Sequence, residues 1–356
     1  MSSDIAKIRS ERAISAASLN ILFTCAGRRV WLLNAFRQAM AQLGLSGQIL
    51  AADVTIASPA YHRADRGIIL PPVGDPEYLP ALLDAVSDHR VGLLVPLTDL
   101  DLRLLAGARE PLAQRGCTAM IGGEQAVAQC QDKARTNELL KRAGLPVIRT
   151  LGLEQFQDSP FYPCFVKPAQ GSAGVGTGLI ENPEQLRAHV AVFGSRLLVQ
   201  DYIPGQEYTL DVYRSRSGQV CCVVPRQRLA VRSGEVEKGI TVRDPVLIQA
   251  AVKLAGVLED LWGVFCCQCR RSGSDATEPP WFFEINPRFG GGAPLSIAAG
   301  ANLPLYLLQE LLGLPITARL GEFTDRLLML RYDESVFVKL EGEPDALPGY
   351  QTPTFR

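Results

Sequence analysis

The 356-residue chain is short of several things, and each shortage closes a class of function. It has no surplus of charge: 36 Lys and Arg stand against 37 Asp and Glu, a formal net of −1. A coat for nucleic acid or anionic lipid is therefore not expected, although cations can still gather locally on small anions. It has no long apolar run. Leu303 to Leu314 is broken by Pro304, Gln309, Glu310 and Gly313, well short of the roughly 20 apolar residues of a membrane helix. The first 18 residues carry Asp4, Arg9, Glu11 and Arg12 and lack the apolar centre of a leader. It has no second cysteine pair either. Cys266-Cys267-Gln268-Cys269 is the one CxxC among nine cysteines. It lies in a strand-like run, where a period of two turns Cys266 and Cys269 to opposite faces. The cysteines read as reduced, buried thiols of a cytoplasmic protein. Internal repeats and low-complexity linkers are also missing. What remains, 47% apolar and 21% charged, is ordinary for a globular enzyme of about two or three domains.

The order of elements divides the chain. Leu19 to Thr24 reads as a strand, followed by a turn at Cys25-Ala26-Gly27-Arg28-Arg29 and a helix from Val30 to Leu43. Strands at Gln48–Asp53 and Gly67–Leu70, a helix at Glu77–Asp88 and a strand at Val91–Pro96 continue the alternation. Such βαβ units imply a parallel sheet, ending near residue 125. A helix from about Gln131 to Ala143 opens a second unit of different texture, with period-2 strands and Gly-rich turns. Helices are expected at Leu247–Asp260 and within Ala293–Leu312, and strands at Arg326–Arg331 and Val336–Leu340. The fold class is thus α/β followed by α+β.

Three segments carry chemistry. Phe165-Val166-Lys167-Pro168 is a strand ending in a lysine, and Gly171-Ser172-Ala173-Gly174-Val175-Gly176-Thr177-Gly178 follows. Closely spaced glycines let backbone N–H groups close on phosphate oxygens, with Lys167 as a point charge. A flexible turn has the same composition, and neither GxxxxGK[ST] nor GxGxxG is present. In Gln200-Asp201-Tyr202-Ile203-Pro204-Gly205-Gln206-Glu207 a strand turns and returns with a carboxylate, suited to an adenine edge and ribose hydroxyls. Glu207, Thr209 and Asp211 then share one strand face. In Phe283-Glu284-Ile285-Asn286-Pro287-Arg288 the same period puts Glu284, Asn286 and Arg288 together: oxygen donors for a hard cation beside a phosphate-binding arginine. Gln268, which shares a face with Cys266 and Arg270, can join them from a neighbouring strand. Two readings stand for Arg28 and Arg29 at the Gly27 turn and for Thr98 and Asp99 after Pro96: strand-end ligand contacts, or plain surface turns.

The succession Asp132-Lys133, Val166-Lys167-Pro168, glycine loop, Gln200 to Glu207, Gln268 and Glu284 to Arg288 resembles the ATP-grasp superfamily. Within it the chain looks closest to one ATP-binding half of the carbamoyl-phosphate synthase large chain. The resemblance covers residues 19 to 340. It implies a pre-ATP-grasp parallel-sheet domain at 19–125, a small lobe with a glycine flap at 126–203, a large lobe with the metal site at 204–320, and C-terminal strands and tail at 321–356, while residues 1–18 read as a polar extension. By resemblance Lys133 and Lys167 hold ATP phosphates under a flap containing Gly171, Ser172, Gly174 and Gly176. Gln200, Asp201, Tyr202 and Ile203 form the adenine hinge, and Glu207 holds ribose. Gln268, Glu284 and Asn286 are the Mg²⁺ ligands (Mn²⁺ being the alternative metal), and Arg288 steadies the transferring phosphoryl group. Gln268 departs from the acidic residue of many members. Arg226, Arg228, Arg232 and Lys238 fall in a stretch that faces the acceptor in similar proteins; an anion-gripping row and a solvated face are equal readings there.

The implied activity is an ADP-forming carboxylate–amine ligase working through an acyl phosphate. Its expected partners are small-molecule carboxylates and amines, at least one an amino acid, with no nucleic acid and no membrane; similar proteins are often homodimers, and the oligomeric state stays open. A bicarbonate-activating enzyme and a non-catalytic ATP-binding sensor or scaffold are the alternatives. With one ATP-grasp unit and no glutaminase-like segment in this sequence, a complete carbamoyl-phosphate synthase is not expected.

Overall fold

The computed structural model describes residues 18–168, 175–232, 234–273, 275 and 277–339. The extension up to residue 17, the flap residues Gly171, Ser172 and Gly174, and the tail from residue 340 lie outside that range.

Five parallel strands make the first sheet: β1 (Asn20–Thr24), β2 (Ile49–Asp53), β3 (Arg66–Ile69), β4 (Val91–Pro96) and β5 (Thr118–Ala119). Their spatial order is β3-β2-β1-β4-β5. The central strand carries the unbroken apolar run Ile21-Leu22-Phe23 because helices cover both of its faces. Ile21 and Phe23 enter one core with Leu32, Leu33 and Phe36 of the helix Val30–Gln42, whose buried residues recur at helical spacing. Leu22 enters the other core with Tyr78, Leu82 and Val86 of the helix Tyr78–Asp88. The strand order reverses between β1 and β4. The turns after these two strands therefore flank the crevice where open parallel sheets bind ligands.

A second, antiparallel sheet follows: β6 (Thr150–Gly152), β7 (Cys164–Pro168), β8 (Gly178–Ile180) and β9 (Leu197–Asp201), in the order β6-β9-β7-β8. Helices Leu153–Asp158 and Pro183–Phe193 accompany it, neither foreseen in the sequence. This sheet has a core of its own, with Leu153, Phe156, Val166, Ile180 and Val199. Its entrance and exit lie side by side. Thr150 is in register with Gln200, the Asp201 amide donates to the Arg149 carbonyl at 3.2 Å, and the Arg149 guanidinium binds the Asp201 carboxylate.

The third sheet holds β10 (Gln206–Arg214), β11 (Val220–Arg232), β12 (Glu235–Thr241), β13 (Gly263–Arg271), β14 (Trp281–Asn286) and β15 (Leu328–Leu330). All neighbours are antiparallel, in the order β14-β13-β10-β11-β12-β15. Gly205, at the turn from β9 into β10, has φ of +102°, and a Cβ there would fall 2.2 Å from the Arg271 carbonyl oxygen; only glycine fits that close approach. One core joins this sheet to the first, since Ile21 and Phe23 share it with Leu210, Val212 and Phe265. The Phe36 ring lies 5.0 Å from Phe23 and 5.8 Å from Phe289, directly after Arg288.

The helix expected from Gln131 begins instead at Lys133. Asp132 caps it by accepting from the Arg135 amide, and a separate helix, Glu124–Gln131, precedes it. The strand expected over Val336–Leu340 is absent from its described part: 331–339 has no regular structure, and Phe337 is 93% exposed. Alternation alone does not make a strand where no neighbouring ladder is available. All nine cysteines are free thiols, and eight are buried. No helix among the described residues is long and apolar enough to cross a membrane.

Candidate functional site

The register of the third sheet builds the site in rows. Glu284 on β14 pairs with Gln268 on β13, Gln268 with Thr209 on β10, and Thr209 with Arg226 on β11. In the next row Asn286 pairs with Cys266, and Cys266 with Asp211. The Asn286 amide donates to the Glu284 carboxylate at 2.8 Å and accepts from Arg288 at 3.3 Å. Glu284 is exposed and Gln268 half-buried. Among the described residues no three His, Cys, Asp or Glu side chains gather into a metal cluster. The oxygen set here has a single carboxylate with two amides. That suits a hard cation that keeps substrate phosphate in its shell and does not suit a soft metal.

Two lysines face this row from the other elements. Lys133 opens the helix Lys133–Arg142, and its ammonium donates to the Pro168 carbonyl at 3.3 Å. Lys167 is on β7, one residue before. Burial pushes the Lys167 ammonium down to about 8, the Lys133 charge adds to the fall, and Glu284 opposes it. Lys133 is also lowered by burial and supported by Glu284. Two like charges thus converge on one carboxylate. Gly176 joins the end of β7 differently: a Cβ there would press on Pro168 at 2.8 Å, and the His189 ring meets its carbonyl at 3.0 Å.

Arg288 ties the row to the first sheet. Its Nε donates to Asp99 at 3.0 Å, and its Nη2 binds the other Asp99 oxygen. Asp99 and the half-buried Thr98 follow β4 at the reversal crevice. On the opposite side of that crevice Arg28 meets Asp333 at 3.3 Å.

In the hinge, the Gln200 side chain is turned onto the Thr150 hydroxyl at 2.7 Å. Asp201 is engaged by Arg149. Arg270 donates to the Ile203 carbonyl at 3.2 Å and stands 6.0 Å from the Tyr202 ring. Glu207 lies between Arg228, at 2.9 Å, and Arg270, at 3.7 Å.

The arginine row does not hold together. Arg226 is 1% exposed and forks onto the buried Asp211 at 2.8 and 3.0 Å, while Ser296 donates to the same carboxylate. It is a core ion pair and faces no acceptor. Register shifts between Arg228 and Ala230 and between Ala230 and Val231 break the alternation, so Arg232 leaves the row for Asp333 at 2.8 Å. Lys238 is exposed, opposite Leu330 at the sheet edge. Arg228 lies beside Glu207 and Thr209.

Residues 21–120 match the family described as PylC-like, N-terminal domain, and residues 194–331 match ATP-grasp in the biosynthetic pathway with Ter operon. The biotin carboxylase–β-γ-ATP complex from Campylobacter jejuni superposes on 87% of this chain and 74% of that one, with a TM-score of 0.68 and 18% identity.

The chain has the ATP-grasp fold.

Two curated relatives agree at the sequence level. A D-alanine–D-alanine ligase of Granulibacter bethesdensis is 34% identical over 111 residues, 29% of this chain. That stretch is 36% of the ligase, so the match spans little more than a third of its length. A formate-dependent phosphoribosylglycinamide formyltransferase of Synechococcus elongatus is 26% identical over 313 residues, 82% of this chain and 77% of that protein. Within the ATP-grasp fold, β10 to β15 fall inside one family match and the first sheet from Ile21 onward inside the other, while Lys133 and Lys167 lie between them.

Sequence reasoning saw Arg29 only as a positive charge at the Gly27 turn and passed over Glu235 and Arg331. Arg29 meets Glu235 at 2.7 Å, and Arg331 meets the other Glu235 oxygen at 3.0 Å. An arginine pair after a strand was a visible signal for Arg29. Nothing local marks Glu235 or Arg331.

Proposed function

We propose that the chain is an ATP-dependent, ADP-forming carboxylate–amine ligase acting on small molecules, at least one of them an amino acid. The observation that carries this reading is the convergence of Lys133, Lys167, Glu284, Asn286 and Arg288 on one cleft edge, with Arg288 anchored by Asp99. Lys133 and Lys167 would bind the β- and γ-phosphates, and the Tyr202–Ile203 backbone would border the base. Glu207 would be the ribose ligand once nucleotide competes with Arg228 and Arg270.

Glu284, with Gln268 and Asn286, would hold Mg²⁺, which when bound supplies charge neutralisation and alignment of phosphate oxygens. The remaining work belongs to the chain. Two anions, a carboxylate and a triphosphate, must approach, and the two lysines with Arg288 lower the cost of bringing them together. Arg288 is pre-set by its double contact with Asp99, so little ordering is needed at the moment of transfer. The carboxylate oxygen attacks the γ-phosphorus and ADP leaves. The amine then attacks the acyl carbon and phosphate leaves. No side-chain nucleophile is required.

The test is Mg–ATP incubation with pooled amino acids and chromatographic separation of the nucleotides. ADP that appears only with the pool, and disappears in Glu284→Gln with nucleotide still bound, supports the reading. AMP as the product overturns it, and so does ADP release that Glu284→Gln leaves unchanged.

A further inference from the structure

Lys133 and Arg288 reach the cleft edge from different elements, and one side chain ties those elements together. Gln131 is the last residue of the helix Glu124–Gln131. Its amide nitrogen donates to the Asp99 carbonyl at 3.1 Å, and its amide oxygen accepts from Arg103 Nε at 2.8 Å. A guanidinium has donors only, so Arg103 must meet the oxygen, and the amide nitrogen is left for Asp99. Arg103 belongs to the helix Leu102–Gly107, into which the turn after β4 leads. Both ends of the Gln131 amide are thus committed to one segment, residues 99–103. Within that segment the Asp99 carboxylate holds Arg288 through both of its oxygens.

The two sides of this contact are not equally secured. On the helix side, Asp132 accepts from the Arg135 amide at 3.0 Å, and the Thr136 hydroxyl donates to the Gln129 carbonyl at 2.9 Å. These bonds stitch the helix Glu124–Gln131 to the helix Lys133–Arg142, so Gln131 and Lys133 are fixed relative to each other. On the turn side, Asp101 is buried and takes the Tyr78 hydroxyl at 3.1 Å. Leu100 is 72% exposed and adds little packing. The Asp99 side chain, too, is partly open to solvent. Asp99 therefore lies outside the buried anchor of its own turn, and its carbonyl is held where Gln131 meets it.

We infer that Gln131 is a positioning residue for phosphoryl transfer: by donating to the Asp99 carbonyl it sets the turn from which Asp99 orients Arg288, in register with the helix that carries Lys133. This deepens the ligase reading and rests on it. Gln131 acts through Asp99, and its effect belongs to the placement of one guanidinium. A displacement of about 1 Å at such a group is enough to slow a transfer that depends on alignment. A plain stitch between two helices would be served by the Arg103 contact alone. The donor half of the amide is what reaches the mount of Arg288, and the two halves can be separated by substitution.

The experiment is calorimetric titration of the full chain with Mg–ADP, alone and with fluoroaluminate, which takes the place of the transferring phosphoryl group. Fluoroaluminate is expected to tighten Mg–ADP binding to the wild type about ten-fold or more, the scale of one charge-assisted contact. Arg288→Gln should remove that gain. Gln131→Glu keeps an acceptor for Arg103 and removes the donor to Asp99, whereas Gln131→Met removes both. Each should reduce the gain about three- to ten-fold, the range of one neutral hydrogen bond, with Mg–ADP alone binding as in the wild type. Gln131→Glu should also unfold at the wild-type denaturant concentration. A full gain in Gln131→Glu overturns the inference, since the Arg103 contact would then be the whole role of the side chain. Weakening of plain Mg–ADP binding by the same factor as the fluoroaluminate complex overturns it as well, because that marks a general structural role. A wild type without any gain, or an Arg288→Gln that keeps it, removes Arg288 from the ligase reading and this inference with it.

Discussion

Lys167 carries its charge at a cost that a bound phosphate would remove. Burial and the neighbouring Lys133 hold its ammonium down to about 8, against 10.5 for a free lysine. Between those two values the unfolded chain binds a proton that the folded chain does not, so stability should rise with pH across that window. Nucleotide binding should show the opposite trend. Above about pH 8 the side chain is neutral in the free protein, and phosphate must draw a proton back. Affinity for Mg–ATP should therefore fall as pH rises past about 8, with proton uptake visible by calorimetry in buffers of different ionisation enthalpy. Lys167→Met should bind weakly with a flat profile. A wild-type affinity that stays flat through this range would remove Lys167 from the phosphate site. The buried pair makes a different prediction. Asp211→Ala leaves the Arg226 charge uncompensated in the core and should cost about 3–5 kcal/mol by denaturant unfolding. Replacing both residues with apolar side chains of similar volume should recover most of that loss. Arg226 also marks where reading a row of arginines fails: period-2 spacing shows that residues share a face, but not whether that face is roofed. Here Gly290, Gly292 and Ser296 roof it.

At the scale of elements, β1 to β4 and the helices Val30–Gln42 and Tyr78–Asp88 were legible because their patterns are local, while the two-residue β5 and the short helices Pro59–Arg63, Leu102–Gly107 and Arg109–Gln114 were not. Ile21, Leu22 and Phe23 alternate between two cores, and the helix Val30–Gln42 repeats at three and four. The row of Glu284, Asn286 and Arg288 was legible for the same reason. Register shifts in β11 were not, since a bulge depends on the partner strand and has no composition of its own. The helix Pro245–Val257 offers a test of local design. Asp244 caps it by accepting from the Val246 and Leu247 amides and also binds Arg271 of β13. Asp244→Ala should therefore destabilise by more than an ordinary cap, about 2 kcal/mol or above, because the buried Arg271 loses its carboxylate contact too. Asp244→Asn should recover the cap and not the ion pair. A loss equal to that of an exposed cap would mean the Arg271 contact contributes nothing.

At the scale of the whole molecule, contacts distant in sequence decide the site, and these were not legible. Arg288 and Asp99 are 189 residues apart, and neither names the other. The shared core explains how they meet, since Phe36 packs on both Phe23 and Phe289. Because the first and third sheets share that core, they should open together in native-state hydrogen exchange. The second sheet, with its separate core, should exchange through a cheaper sub-global opening. Amides of β7 and β9 are expected to lose protection at lower denaturant than those of β1 and β10. Equal protection throughout would mean the second sheet does not open on its own.

The paired connections of the second sheet have a consequence for how such a chain can be rebuilt. Thr150 and Gln200 face each other in one ladder, and Arg149 and Asp201 close the stem behind them. The segment between them therefore leaves and re-enters the molecule at adjoining points, as a cassette does. A foreign segment with matching stem strands could be spliced in there without re-routing any other part of the chain. Because Lys167 travels inside the cassette while Glu284 and Arg288 stay outside it, such a chimera would exchange part of the nucleotide cradle and keep the rest of the cleft.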